Sequence, residues 1–505
     1  MKPQSQALYR QATTFYRQGR ASQAIESYRK LLEAEPQFAD GWYDLGYLLR
    51  QQGAFDEALQ AYQRALDCGV RDPQEVHLNR AVIYSDHLRM DDDAEQSLRQ
   101  ALALQPDYEP AQLNLGNLFE EQGRREDAIA CYQAMLPAEG FDVRRLSELQ
   151  LEALGRLSHL SPPVDADDPS LARLRRCASN ASSQNPQVRA NLYFALGRAC
   201  DRLSLHDDAF RAFTEANRHA ARTGPPYSPR GTEVQMQQLM TASRATSRPS
   251  APIEGVQPLF VCGMFRSGST LLEQIISGHP MISAGGELEH FPRLAAQLKG
   301  NLGAITDAEC ERFSTDYRNH LRRISDATVN LAFVSDKRPD NFLLIGLIKR
   351  IFPLAKIIHT VRNPLDNGLS LYMQHLHQRA APHASDLAAI GHYYGQYRRL
   401  MAHWQSLYGE DIHRFDYDAF VRHPQPQVDA LYAFLGLEPD ANSLNFYLRR
   451  NTVKTASYWQ VRRPLYREAS GRWRHYQQHL LPLRKALEAA GVNNLDYPHI
   501  SPPRH

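Results

Sequence analysis

The sequence has few cysteines, and none of them are paired by spacing. Six cysteines are spread singly over 505 residues, without a CxxC motif and without a cysteine and histidine cluster at zinc-ligand spacing. A chain of this length has enough buried core to fold without disulfides or structural metals. We therefore expect reduced cysteines and no metal cofactor.

Long apolar runs and an excess of one charge are also missing. The first residues contain no apolar segment of signal-peptide length, and the most apolar window, residues 341–361, is broken by Lys349, Arg350 and Lys356. The chain has 58 basic and 56 acidic residues, so it has no general attraction to nucleic acids or anionic membranes. We expect a cytoplasmic protein with no membrane span and no nucleic-acid partner, in which any anionic ligand is bound locally.

The N-terminal part of the sequence contains a repeat. A glycine, an alanine and a tyrosine recur at fixed offsets, first with a period of 34 residues: Gly19, Ala24 and Tyr28; Gly53, Ala58 and Tyr62; and later Gly123, Ala128 and Tyr132. A divergent copy keeps Leu196, Gly197 and Ala209. This period is typical of tetratricopeptide repeats. We predict a helical solenoid over residues 1–222, irregular near residues 140–185, which binds a protein or peptide partner.

The composition changes after the repeats. Residues 223–256 are rich in proline and are predicted to form an extended linker with one short helix. Residues 257–505 alternate apolar segments with helical patterns. Such apolar segments are typical of a parallel sheet covered on both faces. The predicted fold class is therefore α plus α/β, a helical solenoid followed by a P-loop-type α/β domain with a central parallel sheet.

The loop after the first apolar segment carries the main functional pattern. In "PLFVCGMFRSGSTLLEQIISGHP", Gly263, Gly268 and Thr270 match the phosphate loop G-x-x-x-x-G-K-[ST], but Ser269 replaces the lysine. That lysine contacts the β and γ phosphates of a nucleotide, so its absence argues against phosphoryl transfer. The backbone amides from Arg266 to Thr270, at a helix N-terminus, predict a site for one phosphate.

This segment resembles the 5′-phosphosulfate loop of sulfotransferases, in particular of the bacterial tyrosylprotein sulfotransferase-like enzymes that carry tetratricopeptide repeats. Those enzymes use 3′-phosphoadenosine 5′-phosphosulfate as co-substrate, whose 5′ side has a single phosphate. The resemblance implies that five loop residues bind this co-substrate: Arg266, Ser267, Gly268, Ser269 and Thr270.

Three later segments extend the resemblance over about residues 256–487. "HTVRNPLDNGLSLYMQHL" resembles the 3′-phosphate motif, which implies this role for Arg362 and Ser370. "FDYDAFVRHP" resembles the segment that contacts the co-substrate through a tyrosine, here Tyr417. "NTVKTASYWQVRRPLYREASGRWRHY" resembles the closing loop, with Ser457 beside the sulfate and Arg472 on the 3′-phosphate.

The resemblance also implies the catalytic residues. The family's catalytic base falls on Glu287 in "GGELE", and Glu289 is its rival. Lys337 in "DKRPDN" resembles the lysine on the leaving oxygen; Arg338 is the alternative, but a compact ammonium suits a contact to one oxygen better than a guanidinium does. Protein-tyrosine sulfotransferases have an arginine where Glu289 stands, so Glu289 disfavours acidic acceptors.

The sequence leaves the acceptor and two alternative functions open. The acceptor hydroxyl fits a peptide tyrosine, a polysaccharide, a lipid or a small phenol. The alternative function is a repeat scaffold with a degenerate transferase domain, and a P-loop kinase ranks third. His375 and His377 lie two residues apart, so a helix would point them in different directions, and we predict no metal site there.

Overall fold

The structure is a computed structural model that describes residues 2–137, 142–180, 183, 185–242, 255–298, 301–325, 331–448, 465, 468–493 and 495. The chain groups into two compact units. The first consists of Met1–Pro162 with Asn180–Ser182, and the second of Pro163–Ser179 with Ser183–His505.

The first unit is a series of helices that pack as consecutive pairs, as the repeat pattern predicts. Their bounds are α1 Pro3–Arg17, α2 Ala21–Ala34, α3 Ala39–Gln51, α4 Phe55–Asp67, α5 Pro73–Val82, α6 Asp91–Leu104, α7 Glu109–Gln122, α8 Arg125–Met135 and α9 Glu148–Leu160. A π-helical turn, Ile83–Leu88, follows α5.

Small residues set the spacing within the helix pairs. A Cβ atom added to Gly46 would lie 2.8 Å from the ring of Tyr62, and one added to Gly116 would lie 2.5 Å from the ring of Tyr132. Both contacts are closer than packed side chains allow, so the recurring tyrosine fits only because a glycine faces it. The repeat therefore pairs a small residue on the first helix with a ring on the second.

The remaining helices accompany a sheet. They are α10 Pro169–Asn180, α11 Pro186–Arg202, α12 His206–Ala220, α13 Pro229–Ala242, α14 Ser269–Ile276, α15 His290–Gln297, α16 Asp307–Ile324, α17 Ile345–Ile351, α18 Pro364–Tyr372, α19 Leu387–Tyr408, α20 Tyr417–Arg422, α21 Pro424–Leu435 and α22 Leu481–Ala489. The strands are β1 Gln257–Gly263, β2 Ile282–Ala284, β3 Phe333–Lys337, β4 Lys356–Val361 and β5 Ile412–Asp416.

The five strands form one parallel sheet in the order β2-β3-β1-β4-β5. This arrangement confirms the predicted central parallel sheet. The inner strands β1, β3 and β4 are the apolar segments recognised in the sequence. The edge strands β2 and β5 went unpredicted, because β2 has only three residues and β5, "IHRFD", has only two apolar residues, Ile412 and Phe415, with polar residues between them.

The last repeat-like pair, α11 and α12, groups with the second unit. A Cβ atom on Gly197 of α11 would lie 2.6 Å from the ring of Phe213 on α12, the same close approach as in the other pairs. Asn217 of α12 donates a hydrogen bond of 2.8 Å to the carbonyl oxygen of Tyr372 in α18. The sequence-based boundary at residue 222 assigns this pair to the solenoid; in the structure the pair groups with the second unit, and α12 contacts α18.

Within the described ranges, no helix combines the length and apolar character needed to cross a bilayer. All six cysteines are free thiols. Cys177, Cys200, Cys262 and Cys310 are buried.

Candidate active site

A tight loop joins the end of β1 to the start of α14. Gly268 is left-handed, with φ of 100°, and a Cβ atom added there would lie 2.7 Å from the ring of Tyr417. An added Cβ atom on Gly263 would lie 2.4 Å from the carbonyl oxygen of Thr360. Arg266 is also left-handed, with φ of 68°, a conformation that costs a non-glycine residue about 1 to 3 kcal/mol. The loop therefore turns sharply in front of the α14 N-terminus, which favours an anion.

The hydroxyl groups of this loop differ in what they already bind. The side-chain oxygens of Ser267 and Thr360 lie 2.6 Å apart, and both are buried. The Ser267 amide donates to the carbonyl oxygen of Met264 at 3.1 Å. Ser267 thus ties the loop to β4, while Ser269 and Thr270 form the first turn of α14, where the backbone amides carry the positive end of the helix dipole.

Four residues predicted to contact the co-substrate meet at one point. Arg266 Nε donates to Ser370 Oγ at 3.1 Å, and the Arg362 guanidinium donates to the carbonyl oxygen of Arg266 at 3.2 Å. The guanidinium carbon of Arg362 also lies 4.9 Å from the centre of the Tyr417 ring. We call Arg266, Arg362, Ser370 and Tyr417 the arginine cluster. It joins the β1–α14 loop to the ends of β4 and β5.

Two buried carboxylates that the sequence reading missed support the arginine cluster. Asp418 accepts from the Asn363 amide at 2.6 Å and from the Ser470 hydroxyl at 2.6 Å. Asp366 accepts from the amides of Gly471 and Trp473, at 2.6 Å and 2.9 Å. Burial raises the pKa of Asp366 above its ordinary value. These carboxylates fasten the chain around residue 470 to the loop that carries Arg362.

The predicted base and the predicted leaving-group cation form an ion pair. Lys337, the last residue of β3, has a fully buried side chain, and its Nζ lies 2.5 Å from Oε1 of Glu287. The Glu287 side chain is 39% exposed. One end of the pair thus lies in the protein interior and the other reaches solvent, as a site open to an incoming acceptor requires.

The loop that carries Glu287 is held close to the sheet. Glu273, on α14, accepts from the Gly286 amide at 2.9 Å and from the Ser335 hydroxyl at 2.7 Å. A Cβ atom on Gly285 would lie 2.1 Å from the carbonyl oxygen of Ser335, so only glycine allows this approach. The first two residues of "GGELE" are therefore needed to place its first glutamate next to Lys337.

Glu289, the alternative base, and Arg338, the alternative leaving-group cation, pair with each other. Arg338 donates to Glu289 and also contacts Asp340 through Nε at 3.2 Å. The Glu289 side chain is 56% exposed. The geometry therefore separates the two candidates for each role: Glu287 pairs with the buried Lys337, and Glu289 pairs with Arg338.

Asp336, next to Lys337 on β3, lies in the hydrophobic interior. It accepts from the Tyr317 hydroxyl at 2.6 Å and from the Asn341 side-chain amide at 3.2 Å. Burial outweighs both hydrogen bonds and raises the pKa of Asp336 to about 7. Since successive residues of a strand point to opposite faces, this aspartate points away from the Lys337 side.

The remaining residues considered in the sequence analysis belong neither to the arginine cluster nor to the Glu287–Lys337 pair. Ser457 lies outside the described residues. Arg472 is ion-paired with Asp201 of α11. His375 contacts Asn191 and stacks on Phe194, and burial lowers its pKa to about 4. In the part of the chain that the structure describes, no group of three or more histidine, cysteine or acidic side chains is placed to hold a metal.

Comparison with known proteins assigns both parts of the chain. Residues 258–441 match the model of the Sulfotransferase family, and residues 9–75 and 92–151 match models of the Tetratricopeptide repeat. The chain joins tetratricopeptide repeats to a sulfotransferase-family domain. The family resemblance and the fold class predicted from the sequence are thereby confirmed.

The similar proteins have low sequence identity to this chain, and some matches cover only part of either protein. An uncharacterized protein of Aquifex aeolicus (strain VF5) is 31% identical over 344 residues, 64% of this chain, and the match spans only 44% of that protein. The sulfotransferase domain of the Synechococcus PCC 7002 olefin synthase is 20% identical with a TM-score of 0.38, covering 50% of this chain and 100% of that domain. The MamA protein is 17% identical with a TM-score of 0.26, covering 43% of this chain and 93% of MamA.

The raised pKa of Asp336 predicts a specific pH dependence of stability in the sulfotransferase-family domain. Between the ordinary value of 3.8 and the folded value of about 7, the folded protein holds a proton that the unfolded chain releases. Stability from this residue is therefore complete below pH 3.8 and is lost as the pH rises toward 7, by at most about 1.4 kcal/mol per pH unit. Urea unfolding of the wild type and of Asp336→Asn across this window should show the wild type losing stability relative to the variant.

The exposed Asp316, next to Tyr317 on α16, provides the control. Asp316→Asn should leave the wild-type pH profile unchanged. Parallel profiles for Asp336→Asn and the wild type would show that Asp336 does not titrate in this window.

Proposed function

We propose that this protein transfers a sulfuryl group from 3′-phosphoadenosine 5′-phosphosulfate to the hydroxyl group of an acceptor. The observation that carries the proposal is the hydrogen bond from Arg266 to Ser370, because it joins the anion-favouring loop after β1 to α18, the helix that follows Arg362. A nucleotide with separate phosphates on its 5′ and 3′ sides needs two such sites side by side. A triphosphate would instead need a lysine where Ser269 stands.

The arginine cluster fits a 3′-phosphate. The two terminal nitrogens of Arg362 donate hydrogen bonds, one to the carbonyl oxygen of Arg266 and the other to that of Ala469. Its Nε is buried and has no hydrogen-bond partner among the described residues. An unpaired buried donor costs about 1 to 3 kcal/mol, so an anion that accepts from Nε would be favoured here. Ser370 adds a hydroxyl, and Tyr417 covers the guanidinium face.

The catalytic roles follow from the Glu287–Lys337 pair. When bound, the co-substrate supplies an activated sulfuryl group and a phosphate leaving group. Glu287, which reaches solvent, takes the proton from the acceptor hydroxyl at a carboxylate oxygen. Lys337 donates a hydrogen bond from Nζ to the leaving oxygen, in a buried site where a donor stabilises developing negative charge more than it would in water.

The surroundings of Glu287 limit the acceptor. Glu289 and Asp340 both pair with the single cation Arg338, which leaves an excess of negative charge beside Glu287. A strongly acidic acceptor would be repelled, whereas a phenol, a sugar hydroxyl or a tyrosine without acidic neighbours would not. We assign to the tetratricopeptide repeats the binding of a protein or peptide, either the acceptor itself or a partner.

The first test removes the proposed base. Glu287→Gln should lower turnover by about a hundredfold or more, because general-base catalysis contributes about 10² to 10⁴. Affinity for 3′-phosphoadenosine 5′-phosphate should stay within about twofold. The measurement is transfer of radiolabelled sulfate to a simple phenol and to a tyrosine-containing peptide.

Glu289→Gln is the matched control and should keep most of the turnover. If Glu289→Gln loses the activity and Glu287→Gln keeps it, the base is Glu289. Full activity in both variants would remove the carboxylate from the mechanism.

The second test removes the proposed 3′-phosphate ligand. Arg362→Gln should weaken binding of 3′-phosphoadenosine 5′-phosphate by roughly ten- to a hundredfold, because a charged hydrogen bond contributes about 1.5 to 3 kcal/mol. Binding of AMP, which lacks the 3′-phosphate, should hardly change. Isothermal titration of both nucleotides measures the difference.

Arg350→Gln, on the exposed side of α17, is the control and should bind both nucleotides like the wild type. Equal losses for both nucleotides in Arg362→Gln would refute the 3′-phosphate role.

A further inference from the structure

The helix pair α11–α12 holds a chain segment that borders the arginine cluster. We define residues 468–473 as the closing segment; the 3₁₀ helix Arg472–His479 continues it. We propose that Asp201 of α11 is a positioning residue for the nucleotide site: it fixes Arg472 and the closing segment, and so strengthens binding of the 3′-phosphate. This inference rests on the proposed function. It makes the last repeat-like helix pair a part of the transferase site.

Both carboxylate oxygens of Asp201 contact residues of the 3₁₀ helix Arg472–His479. One oxygen pairs with the Arg472 guanidinium, and the other accepts from the Tyr476 hydroxyl at 2.6 Å. Tyr476 is fully buried, and its ring packs against His206 at 5.2 Å between ring centres. Two residues on successive parts of the 3₁₀ helix are thus bound to one carboxylate, which fixes both the position and the rotation of that helix.

The closing segment is also held by residues around Arg362. Arg362 donates to the Ala469 carbonyl oxygen, and Ser470 donates to Asp418. The amides of Gly471 and Trp473 donate to Asp366. The segment and the 3₁₀ helix that continues it are therefore bound both to Asp201 and to the Asp366–Asp418 pair. A shift at Asp201 would reach Arg362 through the Ala469 carbonyl group.

Electrostatics and positioning predict opposite outcomes when Asp201 loses its charge. A negative charge near a phosphate site weakens anion binding, so its removal should by charge alone improve binding of any phosphate, including that of AMP. If Asp201 acts by position, its removal should instead weaken binding, and only for a nucleotide with a 3′-phosphate. The sign of the effect therefore separates the two explanations.

The test compares Asp201→Asn with Asp207→Asn in the full-length protein. Asp207 lies on the same helix pair, carries the same charge and contacts His479 of the same 3₁₀ helix, but its side chain is 61% exposed. We expect Asp201→Asn to weaken binding of 3′-phosphoadenosine 5′-phosphate about three- to tenfold and to leave AMP binding within about twofold. Asp207→Asn should bind both like the wild type. Unchanged or tighter binding of the bisphosphate in Asp201→Asn, or an equal loss for AMP, would overturn the inference.

A second measurement needs no nucleotide. Hydrogen exchange of the Gly471 and Trp473 amides, which donate to Asp366, should become faster in Asp201→Asn and stay unchanged in Asp207→Asn. Unaltered exchange in Asp201→Asn would overturn the positioning role by itself, whereas failure of the wild type to bind the bisphosphate would overturn the proposed function. Should Asp201→Asn not fold, Tyr476→Phe keeps the ring, removes one of the two hydrogen bonds and should show smaller changes in the same direction.

Discussion

The ion pair between the buried Lys337 and Glu287 is the interaction on which the arrangement of the candidate active site depends. An ammonium group taken fully out of water is stable only if an anion lies beside it. Here that anion comes from a loop beyond the end of β2, which approaches β3 closely enough only through Gly285 and is held there by Glu273. β3 lies between β1 and β2, and α14, which follows the anion-favouring loop after β1, contacts this loop through the hydrogen bond from the Gly286 amide to Glu273. The position of the Glu287–Lys337 pair thus follows from the order of the strands and from the need of the buried Lys337 ammonium group for a neighbouring anion.

The second constraint is that two arginine side chains must be held close together. Arg266 and Arg362 lie within one cluster, although like charges repel. Backbone carbonyl oxygens accept hydrogen bonds from Arg362, and the ring of Tyr417 lies against its guanidinium group. The carboxylates of Asp418 and Asp366 bind the neighbouring amides of Asn363 and Gly471. The cluster leaves one buried Arg362 donor, Nε, without a hydrogen-bond partner among the described residues, while its other groups are already held in place. Such preorganisation lowers the cost of binding, because few groups need to move.

The sequence predicts the inner strands and the loop at Arg266, because these rest on apolar runs and on a glycine-rich motif. The grouping of Arg362, Ser370 and Tyr417 is expected only from the family resemblance. The sequence does not predict β2 or β5, which are edge strands without a continuous apolar pattern. It also misses Asp201, whose partner Arg472 is far away in the sequence, so that only the fold brings them together. Glu273 and Asp336 escaped notice for a different reason: both are buried carboxylates inside apolar segments, where one sequence gives no sign of a hydrogen-bond partner.

The central claim is that two anion sites lie side by side and together select a nucleotide with phosphates on both its 5′ and 3′ sides. The most direct measurement is the thermal stabilisation of the full-length protein by 3′-phosphoadenosine 5′-phosphate, compared with AMP and with magnesium ATP. A ligand at a hundred times its dissociation constant stabilises the folded state by about 2.7 kcal/mol, so selective binding gives a clear shift. The account predicts a large shift with the bisphosphate and a much smaller one with the other two. Stabilisation by magnesium ATP alone would contradict it and favour a kinase, and no response to any of the three would favour a scaffold.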